Sequence, residues 1–210
     1  LKIMQCFSFV YIKKLSETVT VYDLGQNFSG IPSISVSGSK YDTVKIYCGE
    51  LLNTDGTINQ KATGSPSYFT YILKGDGEES WQPRFTYTGF RYMQVYCIPK
   101  DSGGVLPMLK NIEGLHIRNA ASTIGSFTSS NELFNKTNTL IDWAIKSNTV
   151  SLFTDCPHRE KLGWLEQTQL MGSSVQYNYD IASLNRKVIK DMMYAQYVDG
   201  KIPEIAPEFT

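Results

Sequence analysis

The spacing of apolar residues along this 210-residue chain changes once, near residue 129. Before that point it alternates. Val19-Thr-Val-Tyr22 alternates and stops at Asp23-Leu-Gly25. Ser33 to Ser37 places Ile34 and Val36 on one face, and Thr43 to Cys48 does the same with Val44, Ile46 and Cys48. Segments 67–74 and 85–97 are rich in aromatic and β-branched residues. Turn signals separate these runs, as at Asn53-Thr-Asp-Gly56 and Lys74-Gly-Asp-Gly77. Two more strands are expected near 111–119 and 123–128. Many short alternating runs with turn residues between them predict an antiparallel β-sandwich.

From Ser129 onward the period becomes 3.6. Ser129-Ser-Asn-Glu132 has the form of a capping box, in which Ser and Glu satisfy each other's backbone amides. Leu133, Thr137, Leu140, Ile141, Ala144 and Ile145 then form one helical stripe. A second helix is expected from about Gly163 to Ser174. A third, from Asp180 to about Gln196, carries Ile181, Leu184, Val188, Met192 and Ala195 on one face. Such stripes need partners, and about 80 residues are too few to close a large helical barrel. The expected division is therefore 1–127 for the sandwich and 128–210 for an incomplete helical domain. The chain opens on Leu1 and its last residues stop in mid-pattern, so it reads as a piece of something longer.

Composition removes several classes. Lys+Arg and Asp+Glu are equal at 20 each, so there is no basic excess to displace counterions from nucleic acid. With 41% hydrophobic and 19% charged residues the chain is not of the disordered type. No apolar run approaches the roughly 20 residues of a membrane span. Cys6, Cys48, Cys97 and Cys156 lack any CxxC spacing and only two histidines accompany them, so no metal site is expected and the cysteines read as scattered thiols.

The informative segment lies between the first two helices, from Phe153 to Gln167. It is a polar loop with two carboxylates, Asp155 and Glu160, stiffened by Pro157, with Arg159 beside Glu160 and Trp164 at the next helix start. Two carboxylates and an aromatic platform suit glycoside chemistry. One acid donates a proton to the leaving oxygen, while ionised carboxylates accept hydrogen bonds from sugar hydroxyls. The same residues also fit an ordinary interhelical loop in which Arg159 pairs with Asp155 and Trp164 fills core.

Asp155-Cys-Pro-His-Arg-Glu-Lys-Leu-Gly-Trp164 resembles the signature loop of the bacterial α-L-rhamnosidases, glycoside hydrolase family 78. Four further segments agree in order: Tyr22 to Gly30, with its Asp-x-Gly-Gln-Asn; Gly49-Glu-Leu-Leu52 followed by Asp55-Gly56; Trp81 to Tyr92, with its Gly-Phe-Arg-Tyr; and Ser129 to Asn135. The resemblance implies a concanavalin-like β-sandwich leading into the first helices of an (α/α)6 barrel. It implies inverting hydrolysis of terminal α-L-rhamnosides, without metal or other cofactor. The implied partners are a rhamnose-containing glycoside or polysaccharide and the remainder of the catalytic domain, with no nucleic acid and no membrane. Carried over, Glu160 matches the general acid, Asp155 a carboxylate that binds rhamnose hydroxyls, Trp164 a residue of the sugar pocket and Arg159 the motif arginine. Arg159 is expected to turn toward Asp155 or a carbonyl. The family often has a third acid where this chain has Gln167, which can still bind a hydroxyl. The family's general base has no match here; Glu204 and Glu208 are available by charge alone. A glycan-degrading role would place the protein in the periplasm or outside the cell. The opening residues are neither a signal nor a transit peptide, and the cytoplasm stays open.

The remaining features are read as structural. Trp81, Phe85, Tyr87, Phe90 and Tyr92 fit sandwich core better than a lectin-like face. The sequons at Asn27 and Asn135 are chance triplets, and Cys156 with His158 lacks the orienting partner of a thiol nucleophile. A carbohydrate-binding or purely structural sandwich remains the alternative to an enzyme.

Overall fold

The computed structural model describes residues 1–64 and 66–208; the final two residues of the mid-pattern ending lie outside them. The chain divides into two compact units, one of residues 3–117 and one of residues 118–210 with residues 1–2.

The first unit is the expected antiparallel sandwich-like sheet. Its strands are β1 (Lys2–Ser8), β2 (Tyr11–Lys14), β3 (Val19–Ser37), β4 (Thr43–Gly49), β5 (Leu51–Leu52), β6 (Ile58–Asn59), β7 (Tyr68–Ile72), β8 (Glu78–Trp81), β9 (Thr88–Ile98) and β10 (Met108–Arg118). Eight of them join in the order β1-β10-β3-β9-β4-β7, with β2 and β8 also on β3, while β5 and β6 form a small hairpin. The runs at Val19 and Ser33 are one 19-residue strand, not two. Asp23-Leu-Gly25 reads as a stop in sequence. In the fold Gly25 takes a left-handed φ of 78°, and its amide is held by Asp23 Oδ1 at 2.7 Å. That makes an irregularity in the β3–β9 register between Asp23 and Phe28, after which the strand resumes.

Alternation then fixes what is inside. Ile34, Val36, Val44, Ile46 and Cys48 are all buried, as their spacing predicts, with Met93, Val95 and Ile112. Phe28 is the aromatic centre. It stacks on Phe7 at 4.5 Å, tilts against Phe90 at 4.9 Å and meets the His116 ring edge-on at 5.8 Å. Each such side chain contributes about 1.5–3 kcal/mol on burial.

The motif residues of this unit are staples of the fold. Asp23 and Arg91, from the first and third motifs, form a two-pronged pair at 2.7 and 2.8 Å, and this hydrogen bonding lowers the Asp23 carboxyl below its ordinary range. Asn27 Nδ2 donates to Glu50 Oε1 at 3.0 Å, joining the first motif to the second. Asp55 accepts from Thr57 N at 2.8 Å in the turn before β6. Glu79 is buried and accepts from Tyr71 Oη at 2.6 Å, Lys74 N at 3.0 Å and Gly75 N at 2.9 Å. These donors, the phenol first, hold Glu79 down at about 2, and the same bond pushes Tyr71 up to about 12.

No strand forms over 123–128; Thr123 makes only an isolated bridge to Tyr179. The second unit consists of α1 (Glu132–Asn148), α2 (Leu165–Asn178) and α3 (Ala182–Ala195). The capping box is not formed. Asn131 is the N-cap, its Oδ1 accepting from Leu133 N at 2.9 Å, while Ser129 is clasped by Asn135 through two backbone bonds of 2.8 and 2.9 Å. An Asn two residues on outcompetes the Ser because its amide reaches the first-turn N–H groups from an extended backbone. The α3 stripe is buried through Ile181, Leu184 and Val188, which pack with Ile145, Phe153, Val175 and Tyr179. The α1 stripe is not: only Ile145 is inside, and Leu133, Leu140 and Ile141 are exposed. Among the described residues no helix is long and apolar enough to cross a membrane.

Candidate active site

The signature loop leaves the end of α1 under tight backbone control. Thr149 and Phe153 form an isolated bridge, and Phe153 is sunk in the helical core. Buried Thr154 returns to the helix end, its amide on Asn148 O at 2.9 Å and its hydroxyl on Asn148 Oδ1 at 3.1 Å. The loop therefore starts from a fixed point.

Asp155 closes the base of the loop. Its Oδ2 accepts from Cys156 Sγ at 2.9 Å and its Oδ1 from Leu162 N at 3.3 Å. Pro157 is buried beneath. Lys161 sits in the left-handed region at φ 57°, a conformation that costs a non-glycine residue roughly 1–2 kcal/mol. Burial lowers the Lys161 ammonium below its ordinary value, with nearby Cys156 opposing. Strain held beside functional groups is a mark of a positioned loop.

Glu160 stands at the rim, exposed. Arg159 Nη2 donates to its Oε1 at 3.1 Å and the Trp164 indole N–H to its Oε2 at 3.2 Å. Arg159 thus does not turn to Asp155. Asp155 takes its bonds from within the loop, from Cys156 Sγ and Leu162 N, and the guanidinium goes to the adjacent Glu160. Trp164 is half-buried with its N–H spent on Glu160, so it does not serve as core filling either. Ion pairs this exposed add little stability; what this one fixes is the direction of a carboxylate.

Gly163 and Trp164 are pinned from the far end of the chain. Ala206 N donates to Gly163 O at 3.0 Å, Leu165 N donates to Glu204 O at 2.9 Å, and Trp164 bridges Ile205. A Cβ on Gly163 would lie 2.5 Å from Ala206 O, so only glycine admits this approach. Gln167 lies in the first turn of α2, its amide on Trp164 O at 3.1 Å. Glu208 accepts from the Tyr197 hydroxyl.

The structure therefore gathers Glu160, Arg159 and Trp164 into one cluster, keeps Asp155 at the base of the same loop, and sets Gln167 a helical turn beyond. The spacing of residues gave no sign of the clamp by 204–206. Its bonds run from backbone to backbone, and Gly163 is the single side-chain trace it leaves.

Residues 13–118 match the bacterial alpha-L-rhamnosidase concanavalin-like domain, and residues 122–210 the bacterial alpha-L-rhamnosidase 6 hairpin glycosidase domain. An alpha-L-rhamnosidase of Streptomyces avermitilis is 35% identical over 90% of this chain and 18% of its own length. One from Formosa agariphila is 32% identical over 85% of this chain and 19% of its own. The chain thus spans about a fifth of the length of these curated relatives. Among solved structures, the alpha-L-rhamnosidase from Dictyoglumus thermophilum superposes with a TM-score of 0.90 at 35% identity, covering 98% of this chain and 23% of that one. The Streptomyces avermitilis alpha-L-rhamnosidase complexed with L-rhamnose gives 0.89 at 32%, covering 100% and 20%.

Proposed function

The chain belongs to the bacterial α-L-rhamnosidases, and on that premise we propose that it carries the acid-bearing part of an inverting enzyme that releases terminal α-L-rhamnose from rhamnosides or rhamnose-containing polysaccharides. The observation that carries this is the Glu160 cluster: a rim carboxylate aimed by Trp164 and Arg159 on a loop closed by Asp155.

Glu160 is the general acid and protonates the glycosidic oxygen as the bond breaks. The Trp164 indole holds the carboxyl in place and offers its face to the sugar. Arg159 positions Glu160 directly. Asp155 has spent two of a carboxylate's roughly four acceptor positions on the loop, leaving the others for rhamnose hydroxyls. Gln167 adds a hydrogen-bonding group on the α2 side. Inversion requires a second carboxylate about 6.5–9.5 Å from the acid, with room for the attacking water. We place that base in a longer protein of which this chain is a part. Two facts support the reading: the chain spans a fifth of its relatives, and its α1 stripe is open.

The test is an assay of two proteins on an aryl α-L-rhamnoside. Residues 1–210 alone should give no turnover. The full-length gene product should release rhamnose, with the β-anomer appearing first by NMR. Turnover by residues 1–210 would put the base within them, and Glu204, whose backbone is already clamped to the start of α2, would be the first to replace. A full-length product inert to rhamnosides would end the reading.

A further inference from the structure

We propose that the open groove beside β8 in the β unit is a second saccharide-binding site, built for a sugar that carries a carboxylate. The groove has a volume of about 790 Å³ and is lined by Ser33, Phe69, Trp81, Gln82, Arg84 and Thr86, among others. That is the size of a small-molecule site. It lies wholly within residues 3–117 and shares nothing with the Glu160 loop.

Trp81 is its platform, and the plane of that ring is fixed from below. The indole stacks on Tyr71 with centroids 5.5 Å apart and planes at 28°. The Tyr71 hydroxyl is bound to buried Glu79, which Lys74 N and Gly75 N hold in turn. Phe69 leans on Trp81 from the side at 6.4 Å. Only Phe90 of the five aromatics between 81 and 92 is core; Trp81 is half-exposed and Phe85 is fully in solvent at 105%. The core reading of this cluster therefore holds for one residue and fails for the platform. Alternation broke down here because residues 82–87 are a loop, with Phe85 in the left-handed region at φ 59°.

A pyranose has an apolar C–H face and a rim of hydroxyls. The first matches a pre-set aromatic ring, and the second matches Ser33, Ser80, Gln82 and Thr86 along the walls. Arg84 decides the class of sugar. It is the single charged side chain in the lining, it is exposed, and no described carboxylate pairs with it. A guanidinium with a free fork takes a carboxylate through two parallel bonds.

The experiment uses residues 1–210 and follows the Trp81 indole N–H signal by NMR. The titrants are trigalacturonate, a rhamnose–glucuronate disaccharide, and the methyl ester of each, which keeps the ring and removes the charge. Acid forms should shift the Trp81 signal and bind about tenfold tighter than their esters, the size of one charge-assisted bond. Arg84→Gln, at an exposed position that leaves folding intact, should erase that tenfold difference while ester binding stays. Trp81→Ala, which removes the reporter and is therefore followed by titration calorimetry, should weaken all titrants alike. Silence from every titrant, equal binding of acid and ester, or an acid preference that survives Arg84→Gln would each overturn the proposal. None of these outcomes depends on rhamnoside hydrolysis.

Discussion

The β unit encloses a large core of its own, and the helical unit encloses a smaller one and leaves its α1 stripe open. Phe28, Phe90, Val36, Ile46 and Met93 are wholly buried, and the sheet uses its motif residues to pin one strand to another. The helical unit fully buries a cluster of seven side chains, while Leu140 is 72% exposed, Leu170 68% and Met193 67%. The difference separates two uses of a motif. In the sheet Asp23, Asn27 and Arg91 are spent on structure. In the helical unit Glu160 and Trp164 are held at a rim, with structure supplied around them by backbone.

The largest expected effect tests the helical side of that comparison. In a full-length enzyme Glu160→Gln should slow cleavage of a poor leaving group by about 10²–10⁴-fold. An activated aryl leaving group, which needs little protonation, should lose much less. Asp155→Asn should hurt both substrate classes alike, because Asp155 closes the loop and is proposed to bind the sugar. Equal slowing of both substrates by Glu160→Gln would remove Glu160 from the role of acid.

Core truncation tests the contrast in closure. Phe90→Ala in residues 1–210 should cost about 3–5 kcal/mol in urea unfolding. Leu140→Ala should stay within about 0.5 kcal/mol, as an exposed site does. A large cost at Leu140 would mean that the α1 face is covered in solution, and light scattering would show whether a second copy covers it.

Gly163→Ala should cost about 1–3 kcal/mol, since its Cβ meets backbone that has no room to give. Hydrogen exchange should show Leu165 and Ala206 amides losing protection while the sheet keeps its own.

The smallest effect is a pH response confined to the sheet. Glu79 is held at about 2 against an ordinary 4.5, so its contribution is complete above pH 4.5 and disappears as pH falls through 2. Tyr71 works at the other end. Its phenol, raised to about 12 from 10.0, contributes below pH 10 and loses that as pH rises through 12. Glu79→Gln should flatten the acid limb of a urea-midpoint profile. A limb unchanged in that variant would assign the acid response elsewhere, with Asp23 next to test.

Much of this was legible in residue spacing. The faces of Ile34–Val36 and Val44–Cys48 follow from period 2, and the α3 face from period 3.6. The loop of Asp155, Glu160 and Trp164 was visible as a cluster of residue types. What spacing missed has physical causes. Asp23-Leu-Gly25 carries turn chemistry yet makes a register irregularity, because the strand continues beyond it. Ser129 yields the cap to Asn131. The α1 stripe is periodic whether or not anything covers it, since period reports a face and not a neighbour. The direction of Arg159 depends on how the loop folds around Asp155 and Glu160, and no pattern of letters records that.

The clamp of Gly163 and Leu165 by residues 204–206 has a consequence in time. Synthesis runs from the amino end, so the loop bearing Glu160 leaves the ribosome well before the segment that pins it. At roughly 5–20 residues per second the interval is a few seconds. The sheet has every partner it needs by residue 118 and can be complete while the loop still waits. A nascent chain stalled before Glu204 should therefore show a protected sheet and a protease-sensitive Gly163, and one stalled beyond Ala206, with that residue clear of the exit tunnel, should show both protected.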